Sequence, residues 1–495
     1  MTIHSPFASW LFRAASMFIL LVCALSVRCS AQSRPPRARD LGVPFEGTPG
    51  PLDSITDVAG IQVGYKTLIS GSAVRTGVTA VFPRGKDSVD PVFAGWFTEN
   101  GNGEMTGTTW VEESGFLTGP VLITNTHSVG VVRDAVIAWE LRHNYKPPAA
   151  DWWSLPVVAE TWDGYLNDID GFHVKPADAF AAMDSAHGGA IDEGNVGGGT
   201  GMICFEFKGG TGTASRKLAQ NLGGYTVGAL VQCNFGTRHL LRVAGVPVGR
   251  EIPLNKPIWS LANPAIEDRG SIIVVLATDA PLLPSQLKRL ARRVTLGLGR
   301  LGSISGNGSG DIFIAFSTAN PGAGMAEKPT RLTMLPNDRM DPLFEATVQA
   351  VNEAVVNAMV AAKTMTGFEG HTVQRLPHDR LREVLKKYNR LAGARNSLKV
   401  GKIKVRARKE PSLGRDLGVR CYWDEVADLR KGNRDGDQLV KNQNAALDCN
   451  TGEHRRGRFA AARFSRYDDN GPKNTEQKDR FEQCAERTET FRSHV

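Results

Sequence analysis

A hydroxyl occupies an unusual place in this chain, within Ser305-Gly306-Asn307-Gly308-Ser309-Gly310-Asp311. Upstream, Leu287, Leu290, Ala291, Val294 and Leu298 recur at helical spacing and predict an amphipathic helix over 284–298. Downstream, Ile312-Phe313-Ile314-Ala315-Phe316 predicts a short buried strand. The link is Gly, Ser and Asn, so its backbone reaches left-handed conformations at low cost. If the Gly308–Ser309 bond is cut, Ser309 becomes a new N-terminus at the start of a core strand. It then carries a hydroxyl nucleophile and its own α-amine as base. The plain alternative is a flexible helix-to-strand loop, for which Gly and Ser are common residues.

Such chemistry needs a base and an oxyanion donor. A free α-amine titrates near pH 7.7–8, so it can accept the hydroxyl proton around neutrality without a histidine. Asn234 closes a predicted central strand, where its amide could stabilise an oxyanion; the other reading is a turn Asn. Asn195, in the Gly-rich loop 194–201, is a second donor candidate, and that loop could supply backbone N–H groups instead.

Other motifs carry no chemistry. Gly297-Leu298-Gly299-Arg300-Leu301-Gly302 matches G-x-G-x-x-G, but it follows a helix where phosphate binding needs a preceding strand. No Ser has Gly at both −2 and +2, so the hydrolase elbow is missing. With no C-x-x-C and no H-E-x-x-H, neither metal nor cofactor is indicated.

Length and composition frame these sites. The 495 residues are 41% hydrophobic, enough for a large core. Residues 1–31 read as a secretory signal: Arg13, an apolar run from Ala14 to Val27, then Cys29-Ser30-Ala31. The run is short for a membrane span, so an exported, periplasmic or secreted protein with no stable span after signal removal is expected. An uncleaved anchor is the alternative. Seven cysteines make no disulfide framework; Cys204 and Cys233 are expected to pack as small apolar groups. Residues 392–495 carry nearly all of the net charge of +8. The near-neutral body argues against nucleic-acid binding. The tail's polar, aperiodic composition predicts disorder or an aberrant reading of the coding region.

Between signal and tail, short apolar runs and Gly-rich turns over 40–140 predict β-rich structure. Val121–Thr126, Val227–Gln232 and Ile272–Ala277 predict buried strands, and 134–141 and 176–187 predict helices. Asp341 as N-cap and Pro342 at the first position open a long helix. Strands and helices mixed in layers imply one sandwich over 32–391.

Several separate segments then point one way: Arg39-Asp40-Leu41-Gly42, Gly50-Pro51-Leu52-Asp53-Ser54-Ile55-Thr56-Asp57-Val58, Asn100-Gly101-Asn102-Gly103-Glu104-Met105, Thr124-Asn125-Thr126-His127-Ser128, Glu193-Gly194-Asn195-Val196-Gly197 and the Ser309 heptad. In these the chain resembles the DmpA-type aminopeptidases, the L-aminopeptidase/D-esterase family that includes β-peptidyl aminopeptidases. The resemblance implies an αββα sandwich like that of N-terminal-nucleophile hydrolases. It implies a self-cleaving serine aminopeptidase acting on peptides, amides or esters through an acyl-enzyme on Ser309, assembled as homo-oligomers of αβ pairs. It also implies an acid on the helix after the nucleophile strand, with a hydroxyl two residues before it, to fix the α-amine. Glu353 is the acid proposed, although Val351 stands where Thr or Ser is expected; Thr347 could substitute, and an exposed helix Glu is the other reading. Trp162, in Glu160-Thr161-Trp162-Asp163-Gly164, replaces a usual Tyr and becomes a candidate substrate wall, or simply a packed Trp. Acyl transfer of the ornithine acetyltransferase type and a catalytically silent periplasmic binding scaffold are the rival functions.

Overall fold

The structure, a computed structural model, describes residues 34–146, 151–253, 257 and 270–393. The signal expected at 1–31 lies outside these residues, as does the expected tail apart from Ala392 and Gly393. Cys23, Cys29, Cys421, Cys449 and Cys484 lie outside them too.

Two sheets stack face to face. The smaller contains β1 (Gln62–Ser70), β2 (Val74–Phe82), β5 (Val121–Asn125) and β6 (Val157–Thr161), in the order β1-β2-β5-β6. The larger is ordered β4-β3-β12-β11-β10-β9, where β3 is Val92–Gly101, β4 Phe116–Leu117 and β9 Gly210–Lys217. Its central strands are β10 (Thr226–Asn234), β11 (Ser271–Thr278) and β12 (Gly310–Ser317). All three are buried along their whole length. Continuous apolar runs of this kind suit a sheet covered on both faces.

Val81, Ile123, Leu230, Ile273, Val275 and Ile314 fill the space between the sheets. Helices α2 (Val129–Arg142) and α3 (Pro176–Asp184) cover the small sheet through Val132, Val136, Trp139, Ala179 and Met183. On the large sheet's outer face lie α5 (Pro284–Ala291), α6 (Val294–Leu301), α7 (Asp341–Ala361) and α8 (His378–Lys387). Leu287, Leu290, Val294, Leu298, Ala354 and Ala358 pack there against Val231, Ile272 and Phe313. The layers run helix, sheet, sheet, helix, as the sequence implied. Near the end of the described residues, the Ala392 N–H donates to Gly42 O at 2.7 Å.

Boundaries differ in places. The helix expected over 284–298 is two, α5 and α6. Asp341 is the first helical residue and Met340 the cap position, one residue from the expectation. The expected stripe of Leu287, Leu290, Ala291, Val294 and Leu298 is nevertheless buried, because periodicity fixes a face more firmly than an end.

Candidate active site

Three central strands of the large sheet meet in one row. Asn234, the last residue of β10, pairs with Ser271, the first of β11. Ser271 pairs in turn with Gly310, the first of β12. Side chains alternate between faces along a strand. Ser271 shares its face with Ile273 and Val275, and Asn234 shares its face with Leu230, all members of the inter-sheet core. Both side chains therefore point between the sheets, at the layer's open end, with Cβ atoms about 5 Å apart as cross-strand neighbours.

A cleft of about 470 Å³ opens at that end, lined by Asn102, Gly103, Glu104, Thr126, Glu160, Trp162, Ser271 and Gly308 among others. Glu160, in β6, is buried. Its Oε1 accepts from the Glu104 N–H at 3.0 Å and its Oε2 from Thr126 Oγ1 at 2.5 Å. Burial pushes this carboxyl above its ordinary pKa, and the two donors pull it partly back. Trp162 is 41% exposed and forms part of the wall. Its carbonyl accepts from Asn234 Nδ2 at 2.8 Å, while Asn234 Oδ1 accepts from Ile203 N–H at 2.8 Å. The amide orientation is thus fixed, and the nitrogen keeps a second hydrogen to donate.

At the sheet edge of the cleft, one donor serves two acceptors. The Gly310 N–H reaches Gly270 O at 3.2 Å and Ser271 Oγ at 3.2 Å. The Ser271 hydroxyl therefore lies beside the carbonyl that precedes it in the chain. Both glycines are sterically required. A Cβ on Gly270 would collide with Asn234 O, and one on Gly310 with Asn102 O.

Ser309 occupies a different position. It is fully buried, and its Oγ donates to Asp311 Oδ1 at 2.6 Å. It is not among the residues lining the cleft, although Gly308 is, with its carbonyl accepting from Asn102 Nδ2 at 2.9 Å. By register, Ser309 flanks Gly270 as Gly310 flanks Ser271.

Two sequence assignments are corrected. Glu353 is fully buried against Arg216 and Arg39. Arg216 lies six residues along β9 from Gly210, at the site end, a distance of about 20 Å at strand rise. Asn195 is tied to the Lys363 backbone by reciprocal bonds of 2.9 and 3.0 Å and does not line the cleft. Trp162 lines the cleft, and Asn234 adjoins it through its bond to the Trp162 carbonyl. Ser271, Glu160 and Asp311 were missed. Two of them had a signal: Gly270-Ser271 abuts the apolar run 272–277 directly, and Ser309-Gly310-Asp311 is itself a hydroxyl two residues before an acid.

The model of peptidase family S58 matches residues 53–373. The chain belongs to peptidase family S58. It is 55% identical over 395 residues to the β-peptidyl aminopeptidase BapA of Sphingosinicella microcystinivorans, covering 76% of this chain and 99% of that one. The BapA of Sphingosinicella xenopeptidilytica is 46% identical over 389 residues, covering 74% and 95%. Among solved structures, the L-aminopeptidase D-Ala-esterase/amidase of Ochrobactrum anthropi, a serine aminopeptidase with a variant N-terminal-nucleophile hydrolase fold, superposes with a TM-score of 0.67 at 49% identity. That match covers 72% of this chain and all of the other. This S58 member is a hydrolase, a serine aminopeptidase of the N-terminal-nucleophile type. Neither the acyltransferase nor the silent-scaffold reading is favoured by these relatives.

Proposed function

We propose that this S58 peptidase cuts its own Gly270–Ser271 bond and then uses Ser271, in place of Ser309, to remove N-terminal residues from peptides, amides and esters. One observation carries the reading: a single N–H, that of Gly310, holds the Gly270 carbonyl and the Ser271 hydroxyl side by side. The same bond polarises the carbonyl toward attack. Ser271 Oγ adds to the Gly270 carbonyl carbon, the C–N bond breaks, and the leaving nitrogen takes the hydroxyl proton. The resulting ester is hydrolysed by water, leaving a Gly270 carboxylate and a free Ser271 α-amine.

Once free, that amine lies one strand spacing, about 4.8 Å, from the Ser309–Asp311 segment. The Ser309 hydroxyl and the Asp311 carboxylate supply the acid–hydroxyl pair that was sought at Glu353. They hold the amine as base while Ser271 attacks the substrate carbonyl and forms an acyl-enzyme. The second Asn234 N–H faces the developing oxyanion. Glu160 and Glu104 line the cleft and pair with the substrate's α-ammonium, which makes the enzyme selective for free N-termini. β-Amino acid residues are accepted substrates, in keeping with the names of its relatives. Export through residues 1–31 and assembly into homo-oligomers of αβ pairs belong to the same proposal; cell fractionation and light scattering test them.

N-terminal sequencing of the smaller chain of purified protein tests the cut. Ser-Ile-Ile-Val is expected. Ser-Gly-Asp-Ile would return the nucleophile to Ser309, and an uncut but fully active chain would remove the self-processing mechanism.

A further inference from the structure

Two thiols sit directly behind the oxyanion donor. Cys233 precedes Asn234 at the end of β10, and Cys204 follows Ile203 in β7 (Ile203–Cys204). Both are fully buried, with Sγ atoms 2.8 Å apart. The backbones around them are already joined: Phe205 N–H donates to Phe235 O at 2.7 Å, and Ile203 N–H to Asn234 Oδ1 at 2.8 Å. Gly209 leaves the room they need, since a Cβ there would press on Cys204 Cβ and Cys233 O. Lys208, also buried, anchors the same turn by donating to Met202 O at 2.7 Å and Gly209 O at 2.9 Å.

We propose that Cys204 and Cys233 close a disulfide that holds the β7 turn against β10 and so fixes Asn234 in its donating position. The bond forms during folding by exchange with a small-molecule disulfide such as oxidised glutathione. One cysteine thiolate attacks it and expels one glutathione thiolate, giving a mixed disulfide. The second cysteine then displaces the other glutathione. Two cysteine thiols lose two electrons and two protons, and glutathione disulfide becomes two thiols. Closure precedes complete burial, because burial in the finished fold pushes the Cys233 thiol well above its ordinary pKa and removes the reactive thiolate. The inference on rate rests on the reading of Asn234 as oxyanion donor; the existence of the bond does not.

The test uses full-length protein refolded in a glutathione redox buffer. It is denatured and alkylated with and without prior reduction, then mapped by peptide mass. A Cys204 peptide linked to a Cys233 peptide, lighter than their sum by two hydrogens, is the expected product. Reduction should lower the melting temperature by about 4–8 °C. It should also lower kcat several-fold with KM nearly unchanged, an effect that Cys233→Ala reproduces without reductant. Free alkylation of both cysteines in unreduced protein, or bridges from either to Cys421, Cys449 or Cys484, overturns the bond. A bridge whose reduction leaves kcat unmoved overturns its link to Asn234. Neither result depends on whether Ser271 or Ser309 is the nucleophile.

Discussion

At one end of the β9–β12 sheet, buried polar groups border a cleft; at the other end they are closed against one another. Ser271, Asn234 and Glu160 stand at the open end, each bonded to fixed backbone or side-chain partners yet beside or near the cleft. At the closed end, Arg216 pairs with Glu353 at 2.6 Å, Arg39 with Glu353 at 2.6 Å, and Arg37 with Glu193 at 2.8 Å and Asp53 at 3.2 Å. Asn357 ties the same cluster to the backbone through Ala38 N–H and Thr213 O. Buried charge matched so fully is structural, whereas polar groups beside an open cleft are available to a substrate. An acid on the right helix can therefore belong to the wrong end of the layer.

The comparison breaks most sharply on the two serines. Ser271→Ala is expected to stay uncut and to lose about 10⁴-fold or more in kcat/KM. Ser309→Ala should cut slowly and lose about 10²–10³-fold, since it only positions the amine. The reverse ranking, read by gel and steady-state kinetics, contradicts the assignment.

At the closed end the effect should fall on stability. Glu353→Ala leaves buried Arg216 with only the more distant Asp53 carboxylate, at 3.6 Å, which costs about 3 kcal/mol. Denaturant titration should show this loss, while kcat/KM per folded active site stays within about two-fold. A selective loss of kcat with stability intact would move Glu353 back to the catalytic end.

Glu160→Gln sharpens the open end. It removes the negative partner of the substrate ammonium, so KM for a free-amine anilide should rise about 10–100-fold. Hydrolysis of the N-acetylated analogue, slow in both proteins, should not change. Equal losses on both substrates would make Glu160 a structural residue.

Much of the fold was legible. Central strands came from unbroken apolar runs, and α7 from Asp341 and Pro342. The placement of Trp162 in the cleft wall and of Asn234 beside it was legible because each adjoins a strand end. The choice between Ser271 and Ser309 was not, because two Gly-Ser pairs precede apolar runs and only tertiary burial separates them. Ser309 is shut behind Gly310 and bonded to Asp311, while Ser271 faces the cleft. Glu353 was misplaced because helical periodicity gives the face a side chain takes and not how far along the sheet that face lands.

The smallest expected effect is a pH dependence of the closed end. Burial, then the neighbouring Glu353, push Asp53 up to about 7, and Arg37 only partly offsets them. Its folded pKa lies above the unfolded value of about 3.9, so its stabilising contribution is complete below pH 4 and is lost as pH rises through 7. Melting curves of Asp53→Asn should vary less between pH 5 and 8 than those of the parent. An equal slope would show that Asp53 stays ionised throughout.

The central claim is that Ser271 is the nucleophile, and covalent labelling reads it directly. Processed enzyme treated with a serine-reactive sulfonyl fluoride should lose activity in step with one adduct per αβ pair. Peptide mapping should place that adduct on the N-terminal Ser271 of the smaller chain. An adduct on Ser309 that tracks the loss of activity would contradict the account.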